Sequence, residues 1–273
     1  MLNLLSHSRF SVSTIQSSIT IGPSPFEALY QAFIDARNAE DLDAFLTLFH
    51  PESPLLEGGA LKAEARSLFE NYDVVIETEE FDIVSIDDFS VLMFATVKVV
   101  NTNDYFFLDN RSEMAFTLLK DDNGDWKIHG VESYIMEFLF TDEELAAERD
   151  IDAGLKKSIE DVIVAYVEAS ENEDLEALLD TIDPESPIYW ILLDLMEFQF
   201  LDYDLDYDLE QINVLGVTGA DSYVYTVITQ KVIDDSFSDA TRAKEIYHLK
   251  KQADGSWKIY TSYLLDYEFL DEE

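Results

Sequence analysis

The sequence predicts an α+β protein made of two tandem, similar halves, each opening with helices and closing with an antiparallel-rich sheet. Three observations predict it. The phrase Glu40–Pro54, EDLDAFLTLFHPESP, returns as Glu173–Pro187, EDLEALLDTIDPESP, 133 positions further on. After each copy the apolar period changes from helical to alternating. Each half then carries a glycine turn running into Trp-Lys-Ile, at Gly124–Ile128 and Gly255–Ile259. Helices first and a meander of strands after them mean α+β rather than a parallel sheet.

The elements follow in order. Ser24-Pro25-Phe26-Glu27 is a helix start, with a cap, a proline at the first helical position and a capping-box Glu. Phe26, Leu29, Tyr30, Phe33 and Ile34 then mark one buried helical face, answered 133 positions later by Ile159, Val162, Ile163, Tyr166 and Val167. That second helix is expected to open at Ser158. The duplicated phrase forms the next helix, with Leu42, Phe45, Leu46 and Phe49 inward, and its prolines stop it. Leu61–Phe69 and the more apolar Ile188–Phe198 are third helices. Val91–Val100, Ser112–Leu119 and Trp126–Met136 read as strands, as do Tyr223–Ile233, Glu245–Lys251 and Trp257–Leu265. The expected organisation is an N-terminal extension over 1–23, a first domain over 24–140, a helical linker over 141–157 and a second domain over 158–273. Thr141-Asp-Glu-Glu opens the linker helix, which is expected to run to about Arg149.

Composition limits the function. The chain has 273 residues, 47% of them hydrophobic, enough for two cores. Its 58 acidic against 17 basic residues give −41, which excludes nucleic acid and anionic membrane as partners. Because the acids are spread over both copies, the excess reads as adaptation to concentrated salt. No Cys is present, so thiolate chemistry and disulfides are excluded. Residues 1–25 differ, with seven Ser and no acid. Ser6, Ser8 and Ser11 interrupt any apolar run, against a signal peptide; the segment reads first as a flexible extension, with Val12–Ile21 as an alternative added edge strand.

Two amphipathic helices, a proline-stopped second helix, a third helix and strands ending in Gly-x-Trp-Lys-Ile together resemble the nuclear transport factor 2-like superfamily. The matching residues are Phe26–Pro54 with Gly124–Ile128, and Ile159–Pro187 with Gly255–Ile259. The resemblance, which includes the SnoaL-like and ketosteroid-isomerase-like proteins, implies two cone-like domains, each with about three helices on a curved sheet. It also implies an intramolecular pseudo-dimer, with the chain itself a monomer. It does not fix function, since the superfamily holds both enzymes and binding modules.

Candidate site residues are those able to reach a cone's inner wall. His129 and His248, on strands, are the acid–base candidates. Tyr30, Arg111, Glu113, Tyr166 and Arg242 are candidate ligand contacts, although ion pairing is the ordinary use of a scarce Arg here. His50, replaced by Asp183 in the second copy, reads as a helix-end cap. Asp202, Asp204, Asp206 and Asp208 alternate with Tyr203, Leu205 and Tyr207, a solvated strand face rather than a calcium loop. The expectation is a non-catalytic, salt-adapted module binding a small apolar ligand or a protein partner, without metal or cofactor. Its setting is a high-salt cytosol, with secretion left open. The alternatives are a SnoaL-like isomerase or hydrolase with one active and one degenerate cone, or a structural assembly protein.

Overall fold

A computed structural model describes residues 24–233 and 240–270. The suggested strand at Val12–Ile21 lies outside them. Each half is three helices followed by a four-stranded antiparallel sheet in sequential order, the architecture the resemblance implies. In the first half the helices are α1 (Pro25–Asn38), α2 (Leu42–Thr47) and α3 (Ala60–Asn71). The strands are β1 (Val74–Ile86), β2 (Ser90–Asn101), β3 (Asn110–Lys120) and β4 (Trp126–Phe138). A short helix α4 (Asp142–Ala146) leads to α5 (Ala153–Glu171), α6 (Leu175–Asp180) and α7 (Tyr189–Asp202). Then come β5 (Leu205–Thr218), β6 (Asp221–Val232), β7 (Ala240–Lys251) and β8 (Trp257–Leu270).

The caps explain the helix boundaries. Ser24 and Glu27 form the capping box of α1, and Thr141 and Glu144 that of α4. Helix α5 starts at Ala153, earlier than expected, because the Asp152 carboxylate accepts from Gly154 N and Leu155 N; the Ser158 hydroxyl donates instead to Leu155 O. Helix α4 stops at Ala146, short of Arg149. In the duplicated phrase, Glu40 and Glu173 turn the chain at φ 54°, and Asp41 and Asp174 then cap α2 and α6.

The two repeated motifs meet in space. His50 N donates to Ile128 O (2.7 Å) and Ile128 N to Leu48 O, so the end of α2 is pinned to Trp-Lys-Ile. Asp183, Ile259 and Thr181 repeat this in the second half. The serines of Pro-Glu-Ser-Pro reach one residue further: Ser53 Oγ donates to His129 O and Ser186 Oγ to Tyr260 O, both at 2.6 Å. Pro-Glu-Ser-Pro is therefore a clamp between helix and sheet.

Beyond the third helices the halves superpose at an offset of 131, as Trp126 and Trp257 show. The difference from 133 falls in the 3-10 turn Pro54–Gly59, where Gly58 and Gly59 take left-handed φ values of 64° and 76°. Bulges at Glu79 and Val84 of β1 recur at Glu210 and Leu215 of β5.

Among the described residues, the apolar contact between the halves uses the outer face of the second sheet. Phe106, Leu108, Phe138, Phe140 and the linker's Leu145 cover the outer face of the second sheet. There they bury Leu215, Tyr225, Val227 and Ile246. Gly216 is needed for this approach, because a Cβ there would lie 2.7 Å from Phe106 Cβ. The counterparts in the first sheet take no part, and Val84, equivalent to the buried Leu215, is 59% exposed. The contact is thus one-sided rather than the two-fold pairing of sheets expected of a pseudo-dimer. None of the described helices is long and apolar enough to cross a membrane.

Candidate functional site

Each cone is closed by its helices over the inner face of its sheet, and the two are filled differently. In the first, Phe33 of α1 meets Phe116 of β3 edge to face at 5.1 Å and Phe45 of α2 at 5.5 Å. Met93, Met114 and Leu118 complete a buried apolar core. Tyr30 belongs to this core: its ring packs on Phe81 and Phe116, and its hydroxyl pairs with Thr78 Oγ1 at 2.7 Å.

The second cone holds a hollow of about 350 Å³. Tyr166 of α5, Tyr207 of β5, and Glu245 and Tyr247 of β7 converge on it, with Gln199 of α7 and Gln230 of β6. Leu192, Met196 and Ile228 supply apolar wall, while Leu195, Leu264 and Tyr267 form an exposed rim. The counterparts of Tyr166, Tyr207, Glu245 and Tyr247 in the first half are Phe33, Ile76, Met114 and Phe116. The same scaffold thus carries four ionisable groups in one cone and four apolar side chains in the other.

Burial dominates the electrostatics of the hollow. It pushes the Glu245 carboxyl above the usual carboxylate range, offset in part by the neighbouring Tyr247 hydroxyl. It also raises the phenols: Tyr207 to about 12, Tyr166 further, and Tyr247 well above its ordinary value. The tyrosines therefore stay protonated at neutral pH and offer hydroxyl donors. Among the described residues, no Lys, Arg or His lines the hollow. Its chemistry suits an uncharged ligand with an apolar body and an accepting oxygen.

Of the candidate site residues read from the sequence, only Tyr166 lines this hollow. Arg111 sits on the outer face of the first sheet between Glu79 (2.7 Å) and Glu137 (3.2 Å), and Glu113 shares that face. Arg242 repeats the arrangement with Glu210 (2.7 Å) and Glu268 (3.4 Å), all three at the offset of 131. Both arginines tie three strands together across their own sheets, with the bulged Glu79 and Glu210 as partners. His129 occupies a β4 bulge beside the His50 ring, 5.9 Å away between centroids. His248 Nε2 lies 2.7 Å from Asp221 Oδ1, its ring stacked on Tyr223 at 4.8 Å, again on the outer face. His50 accepts from Glu52 N and Asp183 from Glu185 N, which makes both turn caps. In β5 the apolar Leu205, Tyr207 and Leu209 alternate with Asp206 and Asp208; Asp204 precedes the strand and Asp202 ends α7. Among the described residues no group of three or more acids or histidines could hold a metal.

The family described as "Anti-sigma-I factor RsgI9, C-terminal domain" matches the chain twice, over residues 28–139 and 161–270. The chain belongs to this family. Each of its halves is one copy of the RsgI9 C-terminal domain, so Tyr166, Tyr207, Glu245 and Tyr247 fall in the second copy. No curated protein matches the sequence. Among solved structures, a ketosteroid isomerase-like protein from Erwinia carotovora atroseptica is 20% identical (TM-score 0.33) over 41% of this chain and 95% of that one. A nuclear transport factor 2-like protein from Pseudomonas putida is 12% identical (TM-score 0.36) over 42% and 87%. A cystatin-like-fold protein from Caulobacter vibrioides is 14% identical (TM-score 0.36) over 41% and 88%. At such identities and scores these likenesses say nothing of ligand or chemistry.

Proposed function

We propose that the chain is a two-part binding module. Its second copy of the domain holds a small, uncharged, mainly apolar ligand, and its first copy is packed scaffold. The observation that carries this is the exchange of Phe33, Ile76, Met114 and Phe116 for Tyr166, Tyr207, Glu245 and Tyr247 around a hollow of about 350 Å³. An apolar cavity with a few converging polar groups is the ordinary form of a small-molecule site. The family is named for an anti-sigma-I factor, and a ligand-reading module suits a regulator. The test is calorimetric titration with a panel of neutral phenols, cyclic ketones and lactones. Binding should be lost when Tyr166, Glu245 and Tyr247 are replaced by the first half's Phe, Met and Phe. Affinity unchanged in that variant would defeat the proposal.

One observation favours a catalytic reading of the same hollow, that of an isomerase or hydrolase with a single active cone. Glu245 combines a raised pKa with neighbouring phenol donors, as proton-transferring carboxyls do. Turnover abolished in Glu245→Gln, with binding retained, would establish that reading in place of the first.

We also infer adaptation to concentrated salt, consistent with a high-salt cytosol. Among the described carboxylates Asp183 is buried and Glu245 lines the hollow; the others lie toward solvent in both halves. At about 1 M salt the screening length falls to roughly 3 Å, which relieves the self-repulsion of −41 charges. Circular dichroism across a salt series should show the fold melting as ionic strength drops. A thermal midpoint that does not move with salt would reject this.

A further inference from the structure

Helix α7 is apolar on two sides. Its inner side gives Leu192, Met196 and Gln199 to the hollow. Its outer side presents Trp190, 71% exposed, and Leu201, 83% exposed, with Ile191, Leu195 and Phe198 exposed between them. Ile191, Leu195 and Phe198 follow one another at helical spacing, so they form a continuous stripe. The fold does not require it. The equivalent positions in the first half are Gly59, Ala60, Glu64, Ser67 and Glu70, of which Glu64, Ser67 and Glu70 are exposed on α3. In a chain whose surface is crowded with carboxylates, five large apolar side chains on one helix face mark an interaction surface.

The rim of the stripe selects the occupant. Asp194 and Glu197 flank it on the helix itself. The concavity at its Tyr189 end carries Glu176 and Asp180, and that at its Leu201 end carries Glu173 and Asp204. Among the described residues, no Lys or Arg lines either concavity. A second copy would set acid rim against acid rim, and an anionic lipid surface would be repelled likewise. We propose that the outer face of α7 docks a protein partner through an amphipathic segment whose apolar face is bordered by Lys and Arg. Such a segment lies along an apolar stripe by anchors at i, i+3, i+4 and i+7, its cations meeting the acidic rim. The surface stands apart from the ligand reading, since of the stripe only Leu195 also lines the hollow.

The test uses the full chain and two synthetic helical peptides of equal charge, one of Leu and Lys, the other with every Leu replaced by Ser. The Leu/Lys peptide should bind at least about tenfold tighter than the Ser/Lys peptide. It should also shift the protein's emission to the blue through Trp190, since Trp257 is already buried and Trp126 packs against Phe26 in the first half; Trp190→Phe should abolish the shift. The double variant Ile191→Ser, Phe198→Ser keeps the net charge and should lose that preference while its thermal midpoint stays unchanged. Equal affinity for the two peptides, or a variant that binds as the parent does, would overturn the proposal. So would concentration-dependent self-association that the double variant abolishes, or a Trp190 blue shift on neutral phosphatidylcholine vesicles.

Discussion

The two cones share their supporting devices and differ in what fills them. Capped first helices, the clamp from Pro-Glu-Ser-Pro to Trp-Lys-Ile, the bulges and the Glu-Arg-Glu ties across the sheets all recur. The filling does not: Phe33, Met114 and Phe116 close the first cone, while Tyr166, Glu245 and Tyr247 leave a hollow in the second. The difference teaches that duplication kept what holds a helix layer on a sheet and freed one interior to change. An apolar interior adds to stability, whereas buried phenols and a carboxyl cost it unless they meet partners.

Substitutions at matched positions can break or sharpen this contrast. Phe33→Ala should have the largest effect, a loss of about 3–5 kcal/mol in urea unfolding, since it empties a fully packed site. Its counterpart Tyr166→Ala borders existing space and should cost roughly 1–2 kcal/mol. Equal losses would mean that the second cone is as tightly packed as the first. Next comes Gly216→Val, which drives side-chain atoms into Phe106 and should cost about 1–3 kcal/mol. Ser85→Val, at the equivalent exposed bulge, should change stability by less than about 0.5 kcal/mol, a difference that thermal melts of the two variants would resolve.

Glu245 adds a pH dependence found in one half only. Its folded pKa is raised, so the native state holds a proton that the unfolded chain has released. The stability linked to it is present at and below the ordinary carboxylate range and is lost as pH rises through the raised value. Glu245→Gln should flatten the stability profile over that window and leave the protein relatively more stable above it; unfolding curves at several pH values would show this. Small effects belong to the surface ties as well. Arg111→Met and Arg242→Met should each change stability little, and by similar amounts, because solvent reaches both guanidinium groups and screens the pairs. A large loss in either, measured in the same urea assay, would show a tie that solvent does not screen.

Much of the fold was legible in the residues because it rests on local rules. Ser24–Glu27, the stripe from Phe26 to Ile34, the proline stops and the alternation of β2 to β4 each announce their element. β1 was not legible: Glu77, Glu79, Glu80 and Asp82 make it polar, and the bulges at Glu79 and Val84 twice break its alternation. In the site, Tyr166 stood out as a polar residue on a buried helix face. Tyr207 and Glu245 did not, because their signal lies in the comparison of halves. That comparison needs the offset of 131, which Gly124–Ile128 and Gly255–Ile259 display, carried back to strands that lie behind the Gly58-Gly59 turn where the helical offset of 133 ends. A two-residue error also keeps every strand residue on its own face, so misalignment leaves the pattern looking sound. The arginines took the ion-paired role that is ordinary for a scarce Arg here; the alternative of a ligand contact stayed open in the sequence because alternation tells two faces apart but does not say which one the helices cover.

The one-sided contact between the halves also bears on how the chain is made. Phe106, Leu108, Phe138, Phe140 and Leu145 all precede Leu215, Tyr225 and Ile246 in the order of synthesis. The cover leaves the ribosome before the surface it must protect, and domains fold from the N-terminus onward as they emerge. The stickier of the two sheets therefore finds its shelter already built, and permuting the order of the halves would take that protection away.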